Sequence, residues 1–396
     1  MWSIGRYMPY SQACAGSQGL AVRPGKYFES GAWAASMGAL AAGANFFAYY
    51  PIEPATDIAE EMVKNGPKQG MVIFEAEDEI SALGAAIGAS WAGAKAFTST
   101  SGPGFSLMQE HISYAAMTET PVVLINGMRE GPSTGQATKA AQQDVMQAKW
   151  GGHGDYETVV YSPYSVQEMF DMTVKAFNAA ERWRVPALVM ADKMTVLLME
   201  EVVIPEKVEV VNRKRPKVPP EQFKPFEPEE DLVPPMPEFG EGYRVHVTGV
   251  THDERGIPVS EDPWAHHKLV KRLCDKIRKN RDKIVEYELY GDPEPQVLLF
   301  AYGFPARSAK EAVNMLRKKD VKAALFRPKT LWPFPDKELK EVAAKAEKVI
   351  VVEWNYGQML HNVLKVVPEE KVSFVYRIGE IPIPPEQILE EGGVRI

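Results

Sequence analysis

The chain has 396 residues, enough for two or three domains with well-formed cores, and its 45% apolar and 25% charged content is that of a globular protein. A formal net charge of −8 with no dominant basic stripe gives no footing for nucleic acid. The two cysteines, Cys14 and Cys274, cannot supply the four thiolates of a cubane iron–sulfur cluster, and a disulfide between them is not expected in a chain of intracellular texture.

Residues 1–26 form an extension with no readable motif. Between Glu29 and Glu53 there is no charged residue, a span long enough to cross a bilayer. Its content (Gly31, Ala32, Ala34, Ala35, Gly38, Ala39, Ala41, Ala42, Gly43) is small rather than greasy, which suits a helix packed tightly on a sheet and not a membrane span. Arg6, Ser11 and Gln12 interrupt any apolar run that could act as a signal peptide, so the expected location is the cytoplasm.

Apolar, β-branched runs at 70–74, 96–100, 122–126 and 187–191 predict buried strands, with helices over 79–94 and 166–182 between them. Alternation of this kind implies a parallel sheet covered on both faces. A second series follows, with strands at 297–301, 323–326 and 349–352 and amphipathic helices over 308–319 and 337–345. Between the two lies a stretch dense in proline (Pro216, Pro219, Pro220, Pro225, Pro228, Pro234, Pro235), which fits neither a helix nor a central strand and predicts an extended connector. The basic triplet Arg213-Lys214-Arg215 reads as part of a solvated linker. The fold class is α/β, divided as 1–26 extension, 27–204 first domain, 205–242 linker and 243–396 second domain.

Four local sequences carry the candidate site: Tyr50-Pro-Ile-Glu-Pro, Glu77-Asp-Glu-Ile, Thr100-Ser-Gly-Pro-Gly and Gly131-Pro-Ser-Thr-Gly. Each falls where a strand ends or a helix begins, on the crevice side of an open α/β sheet. Their glycines and prolines force irregular backbone and let a ligand approach closely.

The stretch EDEISALGAAIGASWAGAKAFTSTSGPGFSLM from Glu77 to Met108, then MTETPVV and GPSTGQATKAAQQD, resembles the alpha subunit of 2-oxoacid:ferredoxin oxidoreductases, closest to the 2-oxoglutarate type. TGVTHDERGIP, RPKTLWPFP (327–335) and VEWNYGQM (352–359) extend the resemblance through the second half. It implies a thiamine-diphosphate-binding (pyrimidine) domain over 27–204, followed over 243–396 by a transketolase-C-terminal-like domain. It also implies oxidative decarboxylation of a 2-oxoacid to an acyl-CoA, with coenzyme A as co-substrate and ferredoxin as electron acceptor.

In such enzymes a glutamate held against the aminopyrimidine moves the proton that activates the cofactor. The family register puts it at Glu79, with Glu77 the next candidate; the plain alternative is a carboxylate complementing a helix N-terminus. Pro51, Ser101, Gly102 and Gly104 join Glu79 as expected cofactor contacts. Tyr50, Glu53, Arg129 and Thr134 are the expected substrate contacts, Arg129 because its fork can grip a carboxylate bidentately. Ser133 and Thr138 share the loop with Thr134, and His153 is a lone loop histidine open to either a structural or a proton-carrying role.

The chain lacks the Gly-Asp-Gly magnesium motif of thiamine enzymes: Gly154-Asp155 runs into Tyr156, and Gly291-Asp292 into Pro293. The diphosphate and Mg2+ are therefore expected on a partner subunit; the resemblance implies a beta subunit that carries them with a [4Fe-4S] cluster, and gamma and ferredoxin-like subunits that complete the assembly. Departures cluster at the substrate end. Glu53 stands where the family has threonine, Tyr49 where it has glycine, and Ala32 and Trp33 replace an amide and an acid. Two carboxylates in contact at an effective dielectric of about 20 repel by several kcal/mol. Glu53 is thus either protonated, neutralised, turned away, or the mark of a paralogue with another carbonyl substrate. A non-catalytic assembly subunit is the remaining alternative.

Overall fold

The computed structural model describes residues 22–394; residues 1–21, with Cys14 and most of the expected extension, and residues 395–396 lie outside it. Strand β1 (Gly25–Ser30) pairs antiparallel with β9 (Met199–Ile204), clasping the two ends of the first half. Helix α1 (Gly31–Ala41) follows, begun by Ser30, whose hydroxyl accepts the Trp33 amide. Its small residues are explained by its neighbour α7 (Val166–Trp183): a Cβ on Gly38 would stand 2.6 Å from the Phe170 carbonyl oxygen. The charge-free segment thus holds a short helix, and then a strand, β2 (Phe46–Tyr49). Among the described residues no helix is long and apolar enough to cross a membrane.

The first sheet runs β13-β7-β8-β5-β4-β2-β3, with β6 hairpinned onto β5. Here β3 is Val72–Glu75, β4 Ala96–Thr100, β5 Val122–Glu130, β6 Gln136–Ala140, β7 Val159–Tyr161, β8 Pro186–Asp192 and β13 Thr330–Trp332. From β7 to β3 every pairing is parallel, as the βα alternation requires. The strand expected at 70–74 is an edge strand and mostly exposed, since nothing pairs beyond it. Helix α3 (Glu79–Trp91) connects β3 to β4. The second sheet, β10-β12-β11-β14-β15, is parallel except for its edge strand β10 (Tyr287–Gly291). It contains β11 (Val297–Ala301), β12 (Ala323–Pro328), β14 (Lys348–Glu353) and β15 (Val372–Tyr376).

The halves share a core. Leu124, Val160 and Leu188 of the first sheet cluster with Leu298, Phe300 and Phe326 of the second. The RPKTLWPFP segment leaves β12 and adds β13 antiparallel to the β7 edge, so the second half supplies a strand to the first sheet. Arg327 is 1% exposed at this crossing, where it bonds Glu168 of α7 and Glu288 of β10 and lies 3.9 Å over the Tyr164 ring.

Residues 205–262 contain no helix or strand. Proline-rich backbone has carbonyls that no ladder uses, and buried carbonyls need donors. Arg184, fully buried, bonds the carbonyls of Pro225, Pro234 and Pro235. Arg213 corrects the solvated-linker reading. It is buried, paired with Glu181 of α7, and bonded to the Ser90 and Ala94 carbonyls at the end of α3. Lys214 pairs with Glu229 and Asp231, and Arg215 with Glu238 and Glu241. The triplet is a row of anchors, because the strap lies against the body of the protein.

Candidate active site

The parallel strands of both sheets end on one crevice. Strand β3 delivers the chain to α3, whose N-cap is Asp78: its carboxylate accepts the Ser81 amide at 2.7 Å, and the Ser81 hydroxyl accepts the Asp78 amide in return. The cap is therefore supplied by Asp78, and Glu79 is left over for other work. Glu79 is 5% exposed, whereas Glu77 is exposed.

Beside Glu79 lies the turn after β4. A Cβ on Gly104 would stand 2.5 Å from Glu79 Oε1 and 2.3 Å from Thr100 Oγ1, so only glycine lets these two groups close over the backbone. Among the described residues no donor bonds the Glu79 carboxylate. Thr100 Oγ1 and Ser101 Oγ are buried and unpaired as well, as is Asn126 Oδ1 on the neighbouring β5. A cluster of buried polar atoms without partners at strand ends is a place where a ligand completes the bonding.

Arg129, near the end of β5, is 6% exposed. Its Nη1 donates to the Glu53 carbonyl at 2.9 Å and so ties down the Tyr50-Pro-Ile-Glu-Pro loop. Nε and Nη2, the side-on pair suited to a carboxylate, make no hydrogen bond among the described residues, and Nε is buried. Burial pulls the guanidinium below its ordinary pKa, opposed by Asp144, Glu53 and Glu79 around it. Gly102 packs against the arginine stem: its Cβ position is 3.6 Å from Arg129 Cγ.

Tyr50, Pro51 and Glu53 are exposed on the loop after β2. The Glu53 carboxylate has no ion pair within 4 Å among the described residues. Tyr49 and Trp33 do not line the crevice. Tyr49 is buried, stacked on Phe47, with its hydroxyl on Glu75, and Trp33 packs on Tyr27. Tyr49 is part of the core and Trp33 packs against it, so the bulk of neither enters the cleft.

The crevice itself is an open cleft of about 400 Å3. Gly102, Arg129, Ser133 and Asp144 line one wall, and Asn355, Tyr356, Gln358 and Ile378 of the second half line the other. Thr134 and Thr138 are exposed on the β5–β6 hairpin, and His153 lines a separate pocket with Glu110 and His266. Sequence reasoning passed over Asp144 and the Asn355–Gln358 turn as site residues, although both lie inside stretches that carried the family resemblance.

The second wall is locked to the first. Asn355 Nδ2 donates to the Gln142 carbonyl at 2.8 Å and to the Tyr302 hydroxyl at 2.9 Å. Gln142 Nε2 donates to the Tyr302 carbonyl, and Gln358 Oε1 accepts the Met146 amide. Deeper in, Asp192 at the end of β8 accepts the Phe304 amide at 2.7 Å.

The thiamine-diphosphate-binding family of pyruvate flavodoxin/ferredoxin oxidoreductases matches residues 29–272, and core domain II of pyruvate:ferredoxin oxidoreductase matches 296–388. The chain is 50% identical to the 2-oxoglutarate synthase subunit KorA of Methanothermobacter thermautotrophicus, covering 92% of this chain and 97% of that one. It is 48% identical to the same subunit of Methanocaldococcus jannaschii, covering 91% and 97%. Among solved structures, the 2-oxoglutarate:ferredoxin oxidoreductase of Magnetococcus marinus, with 2-oxoglutarate, coenzyme A and succinyl-CoA bound, superposes with a TM-score of 0.88 at 33% identity. The match covers 93% of this chain and 65% of that one. From these matches and the shared α/β architecture, the chain belongs to the alpha subunits of the 2-oxoacid:ferredoxin oxidoreductases.

Proposed function

We propose that this chain forms the pyrimidine-side half of the active site of a 2-oxoglutarate:ferredoxin oxidoreductase. That enzyme converts 2-oxoglutarate and coenzyme A to succinyl-CoA and carbon dioxide and passes two electrons to ferredoxin. The observation that carries the reading is Glu79: a buried carboxylate without a donor, pressed against Gly104 beside the unpaired hydroxyls of Thr100 and Ser101.

These residues fit one end of thiamine diphosphate. When bound, the cofactor supplies a carbon nucleophile and an electron sink. Glu79 would hold a proton against a ring nitrogen, which is why its oxygens are left free by the chain. Thr100 and Ser101 would bond the ring's polar edge, and Pro51, Gly102 and Gly104 would shape the pocket. Arg129 would take the substrate carboxylate on Nε and Nη2. Tyr50 and Thr134, both exposed, would meet the substrate from the β2 loop and the β5–β6 hairpin. The Glu53 backbone carbonyl, and not its carboxylate, is what meets Arg129, so the side chain is free to turn away from a bound carboxylate.

In this reading residues 27–204 carry the cofactor end, 205–242 are the strap and 243–396 the supporting domain. A beta subunit carries the diphosphate, Mg2+ and a cluster, gamma and ferredoxin-like subunits complete a cytoplasmic assembly, and the strand-end crevice faces the beta subunit. The test is purification of the assembled subunits and a coenzyme-A-dependent viologen-reduction assay with 2-oxoglutarate, pyruvate and branched-chain 2-oxoacids. Preference for 2-oxoglutarate is the expected result. Preference for another acid, with thiamine diphosphate bound, would overturn the substrate and leave the chemistry standing.

A further inference from the structure

We propose that Asp144 is a positioning residue that sets how strongly Arg129 holds a substrate carboxylate. The inference rests on Arg129 being the carboxylate grip. Asp144 is 8% exposed and lines the cleft beside Arg129 and Gly102. Its Oδ2 accepts Asn126 Nδ2 at 3.0 Å, and the Gly102 backbone amide also bonds the carboxylate. Among the described residues no cation makes a salt bridge to it. Arg129 lines the same cleft, and each charge acts on the other. The guanidinium charge is therefore shared between a resident carboxylate and whatever carboxylate enters the cleft.

The position of Asp144 is fixed from both sides. On one side Gln143 Oε1 accepts the Gly131 amide of the β5–β6 hairpin at 2.6 Å. On the other, the Gln142 amide donates to the Trp354 carbonyl and Gln142 Oε1 accepts the Trp354 amide. These anchors hold the backbone leading into Asp144, which favours an electrostatic response over a displacement when a ligand arrives.

The other charges nearby do not take its place. Glu53 and Glu79 act on Arg129 from the β2 loop and from α3. Glu130 lines the cleft but accepts the Glu380 amide at 2.7 Å. On the facing turn Asn355–Gln358 the titratable side chain is Tyr356. Burial pushes Asp144 up to about 6, against the lowering effects of Asn126, Arg129 and Gly102. Above that pH the ionised acid competes for Arg129; below it the protonated acid releases the guanidinium to the ligand. An incoming carboxylate raises the Asp144 pKa further, so binding near neutral pH takes up a proton.

The test uses the assembled holoenzyme and glutarate, a dicarboxylate that cannot react, titrated calorimetrically at pH 6 to 8 in buffers of differing ionisation enthalpy. The wild type is expected to bind glutarate more weakly as pH rises and to take up a proton on binding. Asp144→Asn keeps the size of the side chain and removes its charge, and its amide oxygen can still accept from Asn126 Nδ2. It should bind roughly tenfold tighter above neutrality, lose the proton uptake, and lower KM for 2-oxoglutarate more than it changes kcat. An Asp144→Asn enzyme with the wild-type pH slope and proton uptake would overturn the proposal, as would one altered only in melting temperature. Arg129→Gln separates the premise: if glutarate still binds, Arg129 is not the grip, and that reading fails independently of Asp144.

Discussion

Gly104→Ala is the sharpest test of the pocket, because the clash can be measured atom by atom. The added Cβ would meet Thr100 Oγ1 at 2.3 Å, Glu79 Oε1 at 2.5 Å and Glu79 Cγ at 2.7 Å. Ordinary contact begins near 3.4 Å, so Glu79 has to retreat by roughly 1 Å, and its stem must move along with the tip. Overpacking of this kind costs about 1–3 kcal/mol. The alanine regains about 1 kcal/mol of helix propensity, because Gly104 lies in the helix Gly102–Leu107. Net stability should fall by no more than about 2 kcal/mol, leaving a folded protein. Activity should suffer far more, since displacing a catalytic group by about 1 Å costs on the order of 100-fold. The assay is viologen reduction by the assembled enzyme, with kcat and thiamine diphosphate affinity measured beside the melting temperature. Gly88→Ala, on α3 with nothing within 4 Å of the new Cβ, is the control and should gain up to about 1 kcal/mol with unchanged kcat. Wild-type kcat and cofactor affinity in Gly104→Ala would refute the placement of Glu79 against the cofactor.

The remaining expectations concern Glu79 itself and two buried charge clusters. Glu79→Gln should fold normally and lower kcat by about 100- to 10,000-fold, the ordinary worth of a positioned acid–base group; an active Gln variant would move the role elsewhere. Arg213→Met leaves Glu181 buried without its partner and should cost about 3–5 kcal/mol in urea unfolding, with Arg213→Met/Glu181→Met recovering much of it. For Glu119, burial works to raise the pKa, but Arg272 and Lys276 outweigh it and hold the acid well below its ordinary 4.5. A depressed carboxylate stabilises the fold above its unfolded pKa, and that stability is lost as pH falls below about 4.5. Glu119→Gln should therefore be less stable at neutral pH and show a flatter loss of stability on acidification, measured by unfolding across that range.

What the sequence makes legible at this site is what short spacing can mark. Thr100-Ser-Gly-Pro-Gly and the parallel strands around it follow from glycine, proline and β-branched runs within a few residues of one another, and strands 96–100 and 297–301 match residue for residue. Glu79 is preferred to Glu77 on the family register; the Asp78–Ser81 capping pair is a local signal that puts Glu79 at the first helical position. Arg213 was misread because a charge run looks solvated when its neighbours in sequence are prolines and acids. Its real partners, Glu181, Ser90 and Ala94, are 32 residues or more away in the chain. Tyr49 shows the reverse error, since a departure next to a binding motif need not face the ligand. On a strand the side chain at the next position points to the other face, and here that face is the core against Phe47 and Glu75. Asp144 was illegible for a stronger reason. Its neighbours Gly102, Asn126 and Arg129 come from two strand ends, and its place is set by Gly131 on one side and Trp354 on the other. A carboxylate whose environment is assembled from so many separated segments has no sequence signature of its own, and only the folded crevice brings it and Arg129 to the same cleft.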